Sequence, residues 1–370
     1  MKLLNIIIIS RYIYPVMAPR PLRATELAKE LARQGHTVTV YSYLGTYDYS
    51  DFEKKNNINI KNLGSFFNPH SYINRKTKNI SGWKRKIIYF INKLFEFPDI
   101  VISKAVYKAL KNETPHMLIT IAVPYPIHWG AALAKKYNTN LRNITWVSDC
   151  GDPYMGSPMT WHPFYFKYIE KFWCRKTDFI SVPVEQAKEG YYEEFRNKIR
   201  VIPQGFCFEN IELSPYIKND IPHFAYSGMV YPQTRDPRVF LNYLCTLDEP
   251  FKFIVYTNRQ EMFIPYVDKL VNKLEIRNYV PHQELLKELS KIDFLINIRN
   301  ESSVQQPSKL IDYYLAKRPI IEITSDFKES DIFKAFFRGD YTHQLICNNI
   351  EDYNIKNIAG QFINLYSKQK

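Results

Sequence analysis

Glycine is scarce in this chain, at 12 of 370 residues, about half the usual share. A glycine-rich phosphate loop is absent. Where a parallel α/β protein would place one, after its first strand, residues 10–21 read "SRYIYPVMAPRP". Cysteine is sparse and scattered: Cys150, Cys174, Cys207, Cys245 and Cys347 form no C-x-x-C pair and have no histidine at metal-ligand spacing. That excludes a disulfide scaffold and a zinc ribbon, and predicts reduced, mostly buried thiols in a cytosolic protein. Long apolar runs are missing as well. "LLNIIIIS" at residues 3–10 falls far short of the roughly 20 residues that span a bilayer. No small-residue cleavage site follows it, so a buried strand is expected rather than a signal peptide. Short repeats and low-complexity segments are also absent.

What is present suits two packed domains. The chain is long for one core, and 45% apolar with 15% aromatic residues can fill two interiors. The formal charge of +13 fits anionic partners (phosphorylated small molecules, a lipid surface or nucleic acid) or simply a Lys- and Asn-rich coding bias. No nucleic-acid recognition motif or interleaved basic–aromatic stripe accompanies it, so no nucleic-acid partner is expected.

From residue 2 to about 202, short β-rich runs alternate with helical ones. "KLLNIIIIS", "HTVTVYSY", "HMLITIA", "RNITWVS", "DFISVP" and "KIRVIP" read as strands. Most are continuously apolar, as strands covered on both faces are. "RPLRATELAKELARQG", "PIHWGAALAKKY" and "VEQAKEGYYEEF" read as helices, the first closed by Gly35. A second series has strands "HFAYSGM", "FKFIVYT", "FLINIRN", "PIIEIT" and "HQLICNN". Its helices are predicted near 237–247, 262–273, 282–290, 307–317 and 329–337. Two Rossmann-like α/β domains follow, 1–205 and 206–350, joined near "VIPQGFCFENIELSPYIKNDIP". The last helix, about 351–370, completes either the second domain or the first.

Four blocks resemble the GT-B glycosyltransferases, in particular the retaining family 4. "RATELAKELARQGHTVTVYS" is similar to their first helix and second strand, and "KIRVIPQGF" to the segment before their second domain. "FAYSGMVYPQTRDP" looks like the opening of that domain, and "KLIDYYLAKRPII" like the "EAMAxGxPVI" block. Their order and spacing match along nearly the whole chain. "WVSDCGDPY" resembles a block of enzymes that act on surface polysaccharides. The resemblance implies a central cleft between two Rossmann-like domains. It implies transfer of a sugar from a nucleoside diphosphate donor, of UDP or GDP type, to a glycan or polyprenyl-linked acceptor in surface polysaccharide biosynthesis. Retention of anomeric configuration and independence of metal and cofactor are expected, at the inner face of the cell membrane. Two alternatives share the architecture: a nucleotide-sugar epimerase and a non-catalytic glycan- or partner-binding protein.

Departures from that pattern are specific. The second glutamate of the family pair aligns with Asp312, and the first would fall at Val304, three residues after Glu301. Met229 replaces the arginine that often follows Gly228, which leaves Arg235 as the nearest cation.

Candidate residues follow. Ser308 and Lys309 open a predicted helix, where free N–H groups favour an anion. The resemblance assigns them, with Gly228 and Arg235, to the leaving diphosphate. Asp312 lies one turn beyond Ser308, and the resemblance gives it the ribose hydroxyls. His128 after "AVPYPI" is either an acceptor base or a structural histidine. Asp149 and Asp152 either bind or deprotonate a sugar, or form a turn ahead of Pro153. Arg20 is a third candidate anion contact. Residues 75–95, "RKTKNISGWKRKIIYFINKLF", carry seven cations and no acid. Trp83, Ile87, Ile91 and Leu94 recur there at helical spacing, so an anionic membrane surface is an expected partner.

Overall fold

The computed structural model describes residues 2–65, 83, 90–91, 93–157, 160–209, 211–232, 235–299, 309–327 and 331–368. The chain divides into two compact units, residues 1–207 with 352–370, and residues 208–351.

The first unit is built on a wholly parallel seven-stranded sheet in the order β3-β2-β1-β4-β5-β6-β7. Its strands are β1 Asn5–Ser10, β2 Thr37–Ser42, β3 Ile58–Asn62, β4 Met117–Ile121, β5 Thr145–Asp149, β6 Phe179–Val182 and β7 Ile199–Val201. Strands β1, β4, β5 and β6 are buried almost throughout, which explains their unbroken apolar runs. Helix Pro19–Arg33 starts with proline in its first turn and ends before Gly35, whose φ is +93°. Each sheet face has its own core. One gathers Ile7, Ile9, Leu118, Trp146, Trp173 and Ile180, and the other Ile6, Ile8, Leu27, Val40, Ile119 and Phe362. The terminal helix Ile355–Lys368 supplies Phe362 and packs on helix Pro19–Arg33.

The second unit carries a parallel five-stranded sheet, β10-β9-β8-β11-β12. Its strands are β8 His223–Ser227, β9 Lys252–Tyr256, β10 Leu274–Arg277, β11 Phe294–Ile298 and β12 Ile320–Ile323. Its interior is a phenylalanine stack, with Phe224 5.0 Å from both Phe253 and Phe294. In each unit the strand order reverses beside the first strand, at β1/β4 and at β8/β11. Open parallel sheets bind ligands at the carboxyl ends of such strands.

Several sequence expectations need correction. "HQLICNN" is not a strand: it touches β12 through the bond from Leu345 N to Ile320 O, while Gln344 N turns back to Tyr341 O. The expected helix at 262–273 is instead a set of short 3-10 turns, Gln260–Met262 and Ile264–Tyr266, leading into β10. "VEQAKEGYYEEF" breaks at Gly190 into a 3-10 turn, Glu185–Gly190, and the single helical turn Glu193–Arg196. Gly190 lies so close to Pro153 and Gly156 that no side chain fits there. Edge strands β3 and β10 lacked an apolar signal because neither is deeply buried. Among the described residues, no helix is long and apolar enough to cross a membrane. The candidate basic helix 75–95 falls largely outside the described residues.

Candidate functional site

In the second unit, β8 ends at Ser227, and Gly228 turns the chain with φ +137°, a region L-residues avoid. The chain then loops through Met229 and Tyr231, and reciprocal backbone bonds of 3.1 and 2.9 Å between Tyr231 and Arg235 return it. That closure places Arg235 Nη1 3.3 Å from the Met229 carbonyl, which also accepts from Tyr226 Oη at 2.8 Å. Arg235 Nε is buried and without a partner. Asp236 does not pair with Arg235: it is held by Arg238 in a two-pronged contact.

Lys309 comes to the same place from the start of helix Lys309–Leu315, the turn that follows β11. It is only 8% exposed, with Nζ 4.3 Å above the centre of the Tyr226 ring and no hydrogen-bond partner. Its aliphatic stem passes within 3.5 Å of where a Cβ on Gly228 would lie. Burial, and then the Arg235 charge, hold the amine well below its ordinary pKa, while Glu322 acts in the opposite sense. A buried amine with unfilled donors is costly by itself, and an anion would relieve it. Tyr313 fixes the helix to the strand end, accepting from Ser227 N at 2.7 Å.

Asp312 lies on that helix, half-buried, with Oδ1 2.7 Å from His282 Nε2. His282 comes from the start of helix His282–Leu289, a partner that sequence spacing did not suggest. The structure thus brings Gly228, Arg235 and Lys309 together and sets Asp312 three residues on. Ser308, Glu301 and Val304 lie outside the described residues. With seven residues, the helix is a short support, and the two cations carry the site.

In the first unit the expected catalytic groups are corrected. His128 has no exposed surface. Its Nδ1 is 2.8 Å from Thr120 Oγ1 and its Nε2 3.4 Å from Cys150 Sγ. Thr120 already accepts from Trp146 Nε1 at 2.8 Å, so its own proton is available for Nδ1. Burial pushes the His128 pKa down to about 3. It is a neutral core residue, not a base in reach of substrate. Asp149 is also buried, at 1% exposure. Its oxygens accept from Arg23 Nε at 2.6 Å, Arg23 Nη2 at 2.7 Å and Ser181 Oγ at 2.7 Å. Arg23 also donates to the carbonyls of Ile202 and Pro203. These bonds hold its carboxyl ionised, against burial that would raise its pKa. Through Arg23 and Ser181, Asp149 ties the end of β5 to the first helix and to β6, so it is not free to bind a sugar together with Asp152.

Arg20 remains partly exposed, 3.6 Å from Asp149 Oδ2, with its guanidinium against Gly151. Burial lowers its pKa, and Asp149 opposes that. Asp152 follows one residue later, and its carbonyl accepts from Tyr125 Oη. Sequence reasoning missed Arg23, whose only signal was a cation on an otherwise apolar helix face, and the buried Glu170.

No family model matches this sequence, and no curated protein shows significant similarity to it. Solved structures do. A glycosyltransferase from Rickettsia africae ESF-5 aligns over 100% of this chain and 99% of its own, with TM-score 0.61 and 14% identity. Anabaena Alr3699/HepE, solved with UDP-glucose, aligns over 99% and 100%, with TM-score 0.60 and 9% identity. The lipopolysaccharide outer core galactosyltransferase WaaB aligns over 98% and 97%, with TM-score 0.55 and 13% identity. Identities this low establish a shared fold, two Rossmann-like domains of the GT-B class.

Proposed function

We propose that this GT-B chain is a glycosyltransferase that takes its sugar from a nucleoside diphosphate donor of UDP or GDP type. The carrying observation is the buried, unpartnered Lys309 amine beside Arg235, at the carboxyl end of β8. A buried lysine and a half-buried arginine, both with donors to spare, suit a diphosphate leaving group. Their charge is worth most where negative charge develops as the glycosidic bond breaks. Gly228 lets the donor approach the backbone, and Asp312, oriented by His282, is the ribose contact. HepE, a fold relative, was solved with UDP-glucose, which favours a UDP sugar. Lys309 and Arg235 would supply the countercharge from the protein itself, so transfer without metal is part of this reading.

The acceptor fits as a glycan or lipid-linked glycan of surface polysaccharide synthesis, met at the inner face of the cell membrane, with anomeric retention. WaaB, another fold relative, is named for the lipopolysaccharide outer core, which favours that acceptor class. With Asp149 and His128 enclosed, Asp152 and Arg20 are the first-unit residues left to meet it.

A nucleotide panel read by thermal shift tests the donor site. UDP or GDP should raise Tm, and Lys309→Ala should abolish the rise while the protein stays folded. No shift with any nucleoside diphosphate would sink the proposal. Turnover of donor without acceptor would instead favour the epimerase alternative.

A further inference from the structure

Helix Phe166–Lys176 and the segment that leads into it carry aromatic rings both inside and outside the fold. The inner face of the helix is already complete: Phe166, Trp173 and Cys174 are buried in the core of the first unit. Outside it stand Trp161 and Phe164, in the loop and turn that lead into the helix, and Tyr168 in its first turn. These rings are 65%, 72% and 62% exposed. Folding does not need them there, because rings left exposed to water add nothing to the buried core.

A second segment extends the patch. Phe90 and Phe95 are 61% and 57% exposed. Their segment lies against the first, with Lys93 Nζ 3.1 Å from the Trp161 carbonyl and Tyr165 Oη donating to the Leu94 carbonyl. Contiguous exposed aromatics on this scale mark a binding surface.

Lysines flank the patch. Lys93 joins the two segments, and Lys167 Nζ sits 5.0 Å from the Tyr168 ring centre. The nearby acids are engaged inwardly: Glu96 accepts from Tyr154 Oη at 2.8 Å and lies 3.2 Å from His162, while Asp99 pairs with Arg11. In sequence, residues 75–86 lead into Phe90 with six cations and no acid.

We propose that Phe90, Phe95, Trp161, Phe164 and Tyr168 form a docking surface for an anionic lipid bilayer. Trp and Tyr put an apolar ring in the acyl boundary and a polar edge at the headgroups, and lysines beside them meet anionic lipid. A second copy of this chain suits the surface less well. It would press like-charged segments together, and protein interfaces are depleted in lysine. The surface stands independently of the donor reading and says where such an enzyme would meet a lipid-linked acceptor.

The test uses the full chain and two sets of vesicles, phosphatidylcholine alone and phosphatidylcholine with phosphatidylglycerol. The wild type should co-sediment with the anionic set. Higher salt should weaken that binding without abolishing it, because the aromatic share is not screened. The double variant Trp161→Ser, Phe164→Ser should lose at least about tenfold in partitioning, with its fold checked by an unchanged UDP-induced Tm shift. A variant that binds anionic vesicles as the wild type does overturns the proposal. So does a wild type that ignores both sets, or one that sediments as a dimer which the double variant dissociates. A wild type that binds vesicles but shows no nucleotide shift would count against the donor reading alone.

Discussion

Glu170 permits a quantitative test of how the first unit is packed. It has no exposed surface, and its Oε1 accepts a long 3.4 Å bond from Met155 N. Its Oε2 is buried without a partner, in a region where Trp173 Nε1 and Tyr191 Oη are also unpartnered. Burial, opposed by the Met155 bond, pushes its pKa from 4.5 up to about 7. The titratable groups around it stay neutral in this range: burial raises the thiols of Cys150 and Cys174 and the hydroxyls of Tyr154 and Tyr192. The sign follows from linkage. The folded protein favours the protonated acid, so Glu170 is harmless below pH 4.5, and stability falls as pH rises from there through about 7. The penalty above that window is about 3 kcal/mol, at about 1.4 kcal/mol per pH unit. Glu170→Gln keeps the shape and the oxygen facing Met155 but cannot ionise. Its Tm should match the wild type near pH 4 and exceed it by roughly 6 °C at pH 8, taking about 2 °C per kcal/mol for a unit of this size. Differential scanning fluorimetry in matched buffers reads this directly. A Tm difference that is the same at both pH values would refute the argument, whatever its size.

Four further outcomes are expected. Lys309→Met should raise the Tm of the nucleotide-free protein, by about 1 kcal/mol or more in stability, because it removes an unpaired buried amine. Nucleotide binding should take up protons, since an anion returns the depressed Lys309 pKa toward its ordinary value; calorimetry in buffers of different ionisation heat would show it, with affinity falling as pH rises. Asp149→Asn should cost about 3–5 kcal/mol in denaturant unfolding, because Arg23 is left buried without its countercharge. His128→Gln should leave the pH profile of sugar transfer unmoved, and a lost ionisation in kcat/KM would reinstate it as a base.

The fold was legible where burial is symmetrical. Strands such as "NIIIIS" and "FLINI" are enclosed on both faces, and their composition says so. The edge strand Ile58–Asn62 alternates with polar residues and carries no comparable signal. The last helix was ambiguous in sequence because its packing partner is more than 300 residues away, a relation that no local pattern encodes. At the site, Lys309 was visible as a cation on the first turn of a predicted helix, and Arg235 only through the resemblance that made it the nearest cation after Gly228. The error over His128 and Asp149 has one cause. A polar residue at a strand end looks the same whether it faces solvent or an internal partner, and Arg23 lies 126 residues from the carboxylate it satisfies.

Helix Ile355–Lys368 also bears on how the chain is made. Ile358, Phe362 and Ile363 belong to the same core as Ile6, Leu27 and Val40, and the Arg23 guanidinium sits 5.6 Å from the Phe362 ring centre. During vectorial synthesis the residues of β1 and the first helix leave the ribosome early, yet this face of their sheet stays open until residues 355–368 have been made. The second unit, continuous from 208 to 351, emerges complete before that happens. The unit begun first is therefore finished last, and a nascent chain stalled or clipped near residue 350 would hold a folded insert on an unsealed sheet. Quality-control proteases could recognise such a chain by its exposed isoleucines and leucines.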